Sequence, residues 1–288
     1  MSRYLGFLTV LSCAALASAG TAGATDFYLS HDSAAPGATL GTPPLTFTNG
    51  TVARYDDATG TATPFFDEAT FVGGSENIDA FELLPNGHMI LSTTDPATLP
   101  GTLGPLPFGN GDLVDWDPVN SLATLLFNDS LFELAGSTNT DAVAVLPNGH
   151  LLISTTESQR LGGLDFFDGD VVEYDPLNPG ATSKFFSETL FGGADVDIDA
   201  FDVLEDGRIV LSTFENGVSL GNLSSFQNGD LVLYDPVGLT AIVWFSESLF
   251  TSGNEDIDAV AVVPEPNALT LLALGLVGLA FVGGRRQP

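Results

Sequence analysis

A short acidic pattern recurs four times along this chain and is its clearest candidate for chemistry. In each copy an Asp-Ala pair is preceded by an Asn or Asp two positions before the Asp, and the pairs are spaced by 62, 58 and 59 residues. The eight residues are Asn77, Asp79, Asn139, Asp141, Asp197, Asp199, Asp256 and Asp258. Hard divalent cations prefer carboxylate and amide oxygens, and Ca²⁺ takes six to eight of them. A fold that gathers the four copies would therefore form a cation site, with Ca²⁺ as the leading candidate.

The same acidic pattern also has a purely structural interpretation. An Asp at the start of a strand can accept hydrogen bonds from neighbouring backbone N–H groups and so fix the preceding loop. The sequence leaves both interpretations open, and both require the Asp-Ala pairs to open strands.

Each of the first three Asp-Ala pairs opens the same string of strands. In the first copy, two strands at 80–84 and 88–93 flank the turn Pro85-Asn86-Gly87, where Asn-Gly accepts a positive φ. Two further strands are predicted at 111–117 and 124–127. Four strands per roughly 60 residues are typical of a propeller blade.

The two ends of the chain supply the remaining copy. Residues 27–31, 50–56 and 64–71 match the second, third and fourth strands of the repeat. The missing first strand is found at the other end, and pairing of Ala259–Val263 with Phe27–His31 would leave no open edge. The sequence therefore predicts an all-β, four-bladed propeller of sixteen strands, closed by its N- and C-terminal strands. An open β-solenoid of stacked repeats is the alternative.

A propeller would gather the acidic pattern at one place, because the first strand of each blade lines the central channel. The four copies would then surround one channel mouth, on the face that carries the long connections 32–48, 94–108, 156–167 and 214–227. The Asp-Ala strand openings resemble those of hemopexin-type four-bladed propellers in architecture only, since a matching aromatic pattern is absent. That resemblance implies that backbone carbonyls can also bind ions in such a ring.

Other repeated positions are expected to serve structure. One strand position is aromatic in every copy, which favours packing over a sugar-binding platform; it comprises Tyr55, Trp116, Tyr174 and Tyr234. His88 and His150 follow the turns on the opposite face, where the third copy has Arg208. We expect them to be exposed hairpin residues rather than a base or metal ligands.

The N-terminus has the pattern of a signal peptide. Arg3 precedes an apolar run over 4–17 and a series of small residues, so cleavage after Ala19 or Ala24 fits the rule for signal peptidase. We take 1–24 as the signal peptide and 25–263 as the acidic propeller domain, with an uncleaved anchor as the alternative. The only cysteine, Cys13, lies inside the signal peptide, so the mature domain cannot form a disulfide.

The C-terminal segment, 264–288, combines three features in order. Pro264-Glu265-Pro266 is followed by an apolar stretch over 268–284 and then by Arg285 and Arg286. An apolar stretch of this length is at the lower limit for a spanning helix, and the arginine pair would remain cytoplasmic. The combination resembles the PEP-CTERM sorting signal, which implies cleavage by an exosortase in the inner membrane and onward transport to the envelope or matrix. An ordinary C-terminal anchor is the alternative.

Charge limits the choice of partners. The chain has 37 acidic residues against seven basic ones and a net charge of −30, which disfavours nucleic acid and anionic membrane surfaces as partners. We expect signal peptidase and an exosortase as processing partners, transient membrane insertion through 268–284, and extracellular polysaccharide or surface proteins as ligands. No serine-nucleophile elbow, phosphate loop or zinc-protease motif occurs. The predicted function is a non-enzymatic surface or matrix scaffold; a carbohydrate-active or lactone-hydrolysing propeller enzyme is the alternative.

Overall fold

The computed structural model describes residues 26–33, 37–74, 76–134 and 138–263. The predicted signal peptide and the predicted sorting segment, including the apolar stretch 268–284, lie outside these residues. Within the described ranges, no helix is both long and apolar enough to cross a membrane.

Sixteen strands form four blades, each with four antiparallel strands in the same order. In blade 2 the sheet is extended to six strands, because the outer strand also pairs in parallel with a hairpin of the preceding connection. Blade 1 contains β24 (Ala259–Val262), β1 (Asp26–Ser30), β4 (Val52–Asp56) and β5 (Thr61–Phe66). Blade 2 contains β6 (Ile78–Leu83), β7 (Met89–Thr93), β10 (Leu113–Asp117) and β11 (Leu122–Phe127). Blade 3 contains β12 (Ala142–Val145), β13 (Leu151–Ser154), β16 (Val171–Tyr174) and β17 (Ser183–Phe186). Blade 4 contains β18 (Ala200–Val203), β19 (Ile209–Ser212), β22 (Leu231–Asp235) and β23 (Thr240–Phe245). The first strands β6, β12, β18 and β24 contact one another in a closed cycle, as expected of the inner wall of a propeller.

The long connections between the second and third strands contain four additional hairpins. They are β2 (Ala38–Leu40) with β3 (Leu45–Phe47), β8 (Ala97–Gly101) with β9 (Gly104–Phe108), β14 (Gln159–Leu161) with β15 (Leu164–Phe166), and β20 (Val218–Leu220) with β21 (Leu223–Phe226). The prediction of sixteen strands in all is therefore wrong, because the described residues contain 24. Most of these extra strands have only three residues, which is too short for alternation of polar and apolar side chains to reveal them.

Five short 3-10 helices are the remaining elements of the part of the chain that the structure describes. Four of them follow the outer strands and lead toward the next blade: Glu68–Thr70, Asp129–Leu131, Glu188–Phe191 and Glu247–Leu249. A fifth, Pro179–Ala181, precedes β17.

The ring is closed by its two ends, as predicted. Strand β24 pairs antiparallel with β1, and Ser30 lies opposite Ala259 while Phe27 lies opposite Val262. The backbone N–H of Val263 extends the ladder by donating to the carbonyl of Asp26 at 3.1 Å. Blade 1 is thus assembled from both ends of the described chain, and the open solenoid is excluded.

Each seam, the boundary between two adjacent blades, is filled by a buried hydrophobic cluster. In every seam a phenylalanine of an outer strand packs edge-on against the repeated aromatic position of the next blade. The four pairs are Phe245 with Tyr55, Phe66 with Trp116, Phe127 with Tyr174, and Phe186 with Tyr234. The repeated aromatic position is therefore buried packing, as the sequence predicted.

Glycines two residues before each third strand allow neighbouring blades to approach closely. A Cβ atom on Gly229 would lie 1.8 Å from the carbonyl oxygen of Glu255, and one on Gly169 would lie 1.9 Å from that of Val196. Both contacts are with backbone of the segment that enters the next blade, so a rotamer change cannot relieve them.

We expect Gly229→Ala to lower the free energy of unfolding by at least about 1–3 kcal/mol, the usual cost of overpacking. Gly180→Ala is the matched control, because a Cβ there meets nothing within 4 Å. Urea unfolding of both variants tests the difference, and an equal effect of the two substitutions would contradict the steric explanation.

Candidate functional site

The eight residues of the acidic pattern, which we call the acid ring, lie at one mouth of the channel. Asp141, Asp199 and Asp258 immediately precede their inner strands, and Asp79 occupies a bulge in β6 between Ile78 and Ala80. All four aspartates are buried, with exposed fractions between 2% for Asp141 and 8% for Asp79 and Asp199. The pattern that the sequence singled out is therefore gathered in space, but beneath the surface.

Backbone hydrogen bonds place the acid ring on the face that carries the hairpins. A residue one or two positions after each second strand donates its N–H to the carbonyl of the first residue of an Asn/Asp-x-Asp copy. These bonds join Asp32 to Asp256, Thr94 to Asn77, Thr156 to Asn139, and Phe214 to Asp197, at 3.0–3.2 Å. The repeated bond fixes the ring residues against the start of each hairpin connection.

Two of the four seams contain an amide–carboxylate pair. The Nδ2 group of Asn77 donates to Oδ2 of Asp258 at 3.0 Å, and Nδ2 of Asn139 donates to Oδ2 of Asp79. In each pair, the Asn that begins one Asn/Asp-x-Asp copy donates its amide N–H to the Asp of the copy in the preceding blade.

The other two seams have a carboxylate where the amide would be. Asp197 lies beside Asp141, and the two carboxyl groups can bond each other only when one of them carries a proton. Asp256 is the strongest charged neighbour of Asp199. Side-chain oxygens in these seams have no hydrogen-bond partner among the described residues: both of Asp141, Oδ1 of Asp197, Oδ2 of Asp199 and Oδ1 of Asp256.

Burial is the main cause of raised pKa values throughout the acid ring. It raises the pKa of Asp197 and of Asp256 to about 7, and that of Asp79 to about 6. The pKa values of Asp141, Asp199 and Asp258 are also raised, by burial first and by neighbouring carboxylates second. The amides of Asn139 and Asn77 act in the opposite direction on Asp79 and Asp258.

A second acidic pair, Glu82 and Asp202, lies deeper in the channel. These residues are on the first strands of blades 2 and 4, at positions where the other two blades have Ala144 and Ala261. Oε2 of Glu82 accepts from the backbone N–H of Val145 at 3.3 Å, and Oδ2 of Asp202 accepts from that of Val262 at 2.6 Å. Burial raises the pKa of both groups, and the Asp202 charge raises that of Glu82 further. Sequence reasoning missed this pair, although an acid in place of alanine at the inward position of an inner strand was a usable signal.

The three histidines hold other groups in place. Nδ1 of His88 bonds Asp115 at 2.8 Å and Nδ1 of His150 bonds Glu173 at 2.6 Å, so both are half-buried rather than exposed as predicted. His31 is fully buried: its Nε2 bonds the carbonyl of Phe47 and its Nδ1 accepts from the N–H of Ser33. Burial lowers the pKa of His31 to about 4, so it is neutral, and both ring nitrogens are engaged.

The fold and the ring define a four-bladed propeller with an acid-lined channel mouth. The end of the chain adds a second feature, because residues 262–287 match the PEP-CTERM protein-sorting motif. That motif implies an exported protein that is processed by an exosortase. The resemblance noted in the sequence is thus confirmed.

Solved structures resemble the chain only distantly. A protein from Lactobacillus plantarum is 8% identical, with a TM-score of 0.42 over 84% of this chain and 100% of that chain. Virginiamycin B lyase from Staphylococcus aureus is 7% identical, with a TM-score of 0.32 over 84% and 71%. The chain spans 48% of YCF48 bound to D1 peptide, at 12% identity over 69% of this chain and a TM-score of 0.33. No curated protein matches the chain significantly. These similarities are too distant to indicate a function.

Proposed function

We propose that this protein is an exported cell-surface or extracellular-matrix protein whose propeller serves as a non-enzymatic scaffold or ligand-binding module. One observation carries the proposal: the sorting motif begins where the propeller is completed. The match starts at Val262, the last residue of β24, and Pro264 follows two positions later. An exosortase cut near Pro264 would leave all sixteen blade strands in the released protein.

The proposed route has two stages. Segment 268–284 holds the chain in the inner membrane with Arg285 and Arg286 on the cytoplasmic side, and cleavage then releases the acidic body to the outer envelope or matrix. Residues 25–263 contain 36 of the 37 acidic residues and four of the seven basic ones, and the resulting net charge of −32 keeps such a body soluble and favours cationic or cation-bridged partners over nucleic acid.

The burial of the acidic side chains supports a non-catalytic role. The carboxyl groups with the most strongly raised pKa values are at most 8% exposed, so little of their surface can contact a substrate. The three histidines are already held by carboxylates or by backbone groups.

Processing in a host with and without its exosortase tests the sorting step. We expect the wild-type protein to appear outside the cell with a C-terminus near residue 264, as determined by mass spectrometry. Replacement of Pro264, Glu265 and Pro266 by Ala should leave a full-length, membrane-bound form, whereas the neighbouring control Asn267→Ala should be processed normally. Release of the triple variant, or of the wild type without exosortase, would contradict the proposal.

A further inference from the structure

The four seams of the acid ring are equivalent in backbone but not in chemistry. Seams 1/2 and 2/3 each place an Asn amide against a buried Asp, through Asn77 with Asp258 and Asn139 with Asp79. Seams 3/4 and 4/1 place Asp197 and Asp256 at the same positions. The backbone carbonyls of all four residues make the same hydrogen bond, so the geometry is shared and only the donor is missing.

A missing donor has a large energetic consequence at this depth. A buried carboxylate without a partner is strongly destabilising, and in practice it takes up a proton or a cation. Asp141 is only 2% exposed, and neither of its oxygens has a partner among the described residues. Both oxygens of this buried side chain can therefore coordinate a cation, with the carboxyl group of Asp197 beside them.

The distances suit a single ion. Carboxylate oxygens of Asp141, Asp197 and Asp199 all lie within 4.8 Å of one another. Ligands at the usual Ca²⁺–oxygen distance of about 2.3–2.6 Å can be up to about 5 Å apart across the ion, so one cation can contact all three.

We propose that seams 3/4 and 4/1 together hold one Ca²⁺-like divalent cation, bound by Asp141, Asp197 and Asp199 with Asp256 beside them. The other two seams hold none, because the amides of Asn77 and Asn139 already supply the positive end of a dipole to Asp258 and Asp79. In seams 3/4 and 4/1 the cation thus balances the buried carboxylates, as the amide groups of Asn77 and Asn139 do in the other two seams. This inference narrows the predicted eight-residue site to four residues and does not depend on the proposed export.

The donor set selects the class of ion. The ring offers only oxygen ligands, which suit Ca²⁺, Mg²⁺ or Mn²⁺ rather than the softer transition metals. Ca²⁺ tolerates an irregular set of carboxylates, whereas Mg²⁺ demands octahedral geometry and retains several waters. A buried mouth formed by unequal seams favours the larger and more adaptable ion.

The decisive experiment converts the acidic seams into amide seams. In the protein as purified from its host, we expect Ca²⁺ to bind with a stoichiometry of one by calorimetry and to raise the melting temperature relative to EDTA, more than Mg²⁺ does. The double variant Asp197→Asn/Asp256→Asn should melt higher than wild type in EDTA at pH 7.5, and Ca²⁺ should neither bind to it nor shift its melting temperature. A merely structural role for the aspartates predicts the opposite, namely a less stable double variant.

The reverse substitution and a surface control complete the design. Asn139→Asp removes a donor from seam 2/3, so it should lower the melting temperature in EDTA and enlarge the Ca²⁺-dependent rise. Asp165→Asn removes an exposed acid and should change neither quantity. The single variant Asp197→Asn serves if the double variant does not fold. Absence of Ca²⁺ binding by wild type, equal stabilisation by Mg²⁺, or full Ca²⁺ binding by Asp197→Asn would each overturn the proposal.

Discussion

Ending the chain after Asp258 is expected to abolish cooperative folding, whereas ending it after Val263 should preserve the propeller. The five residues between these points form the whole inner strand of blade 1. Ala259, Val260 and Ala261 are each 1% exposed and contribute to two hydrophobic clusters. Without them, β1 loses its partner on the channel side, keeps only its pairing with β4, and becomes an open edge inside the channel.

Circular dichroism and urea unfolding of the two truncated proteins measure this effect. A synthetic peptide covering 256–263, added in trans, should restore part of the lost stability, because it can pair with β1 in the native register. A cooperative transition in the shorter chain, at the same urea concentration as in the longer one, would show that the ring does not depend on its closing strand.

In EDTA, the protein is expected to be more stable at pH 5 than at pH 8. Burial raises the pKa of Asp202, Asp197 and Asp256 from 3.8 to about 7 in the folded state. Between these pH values the folded chain binds more protons than the unfolded chain, so the free energy of unfolding falls as the pH rises. One isolated group shifted this far would lose about 2.7 kcal/mol of stability between pH 5 and pH 8, because the loss runs at about 1.36 kcal/mol per pH unit until the pH reaches the folded pKa. Neighbouring groups share protons, so the total is less than the sum.

Asp202→Asn tests the pH effect at a position outside the acid ring. The substitution removes one buried charge that acts on Glu82 and keeps one side-chain oxygen as an acceptor for backbone N–H groups, so it should raise stability at pH 8 and flatten the pH profile. Asp165→Asn, at an exposed site where Arg160 lowers the pKa, is the control and should leave the profile unchanged. Urea unfolding at pH 5 and pH 8 gives the change in the free energy of unfolding with pH for the wild type and each variant. A wild-type free energy of unfolding that rises with pH would contradict the assignment of raised pKa values.

The blades were predictable because each repeat contains its own local signals. The Asn86-Gly87 turn shows why: Gly87 adopts a φ of +84°, and Oδ1 of Asn86 accepts from the N–H of His88. Closure of the ring was predictable by counting strands, since the N-terminal copy lacked a first strand and the C-terminus carried one. The turns depend on neighbouring residues and the closure on the number of strands, and a single sequence shows both.

Features that depend on neighbours in space were not predictable. The pairing of Asn139 with Asp79 joins residues 60 positions apart, and only the seam geometry shows which aspartate receives the amide. Glu82 and Asp202 each replace an alanine of the repeat, but only the fold shows that these acids from opposite blades influence each other across the channel. The hairpins escaped prediction because strands of three residues, such as Leu164–Phe166, carry too little periodicity.

The pairing of β24 with β1 also determines which face of the propeller the C-terminal tail leaves from. Strand β24 begins beside the acid ring and ends at Val262, so the chain leaves the propeller on the face opposite to the hairpins. A body tethered through its C-terminal tail would turn its Asn-Gly turns toward the tether and direct the acid ring outward. The four hairpins would then be the first part of the protein that an approaching molecule meets, and release from the tether would expose the second face.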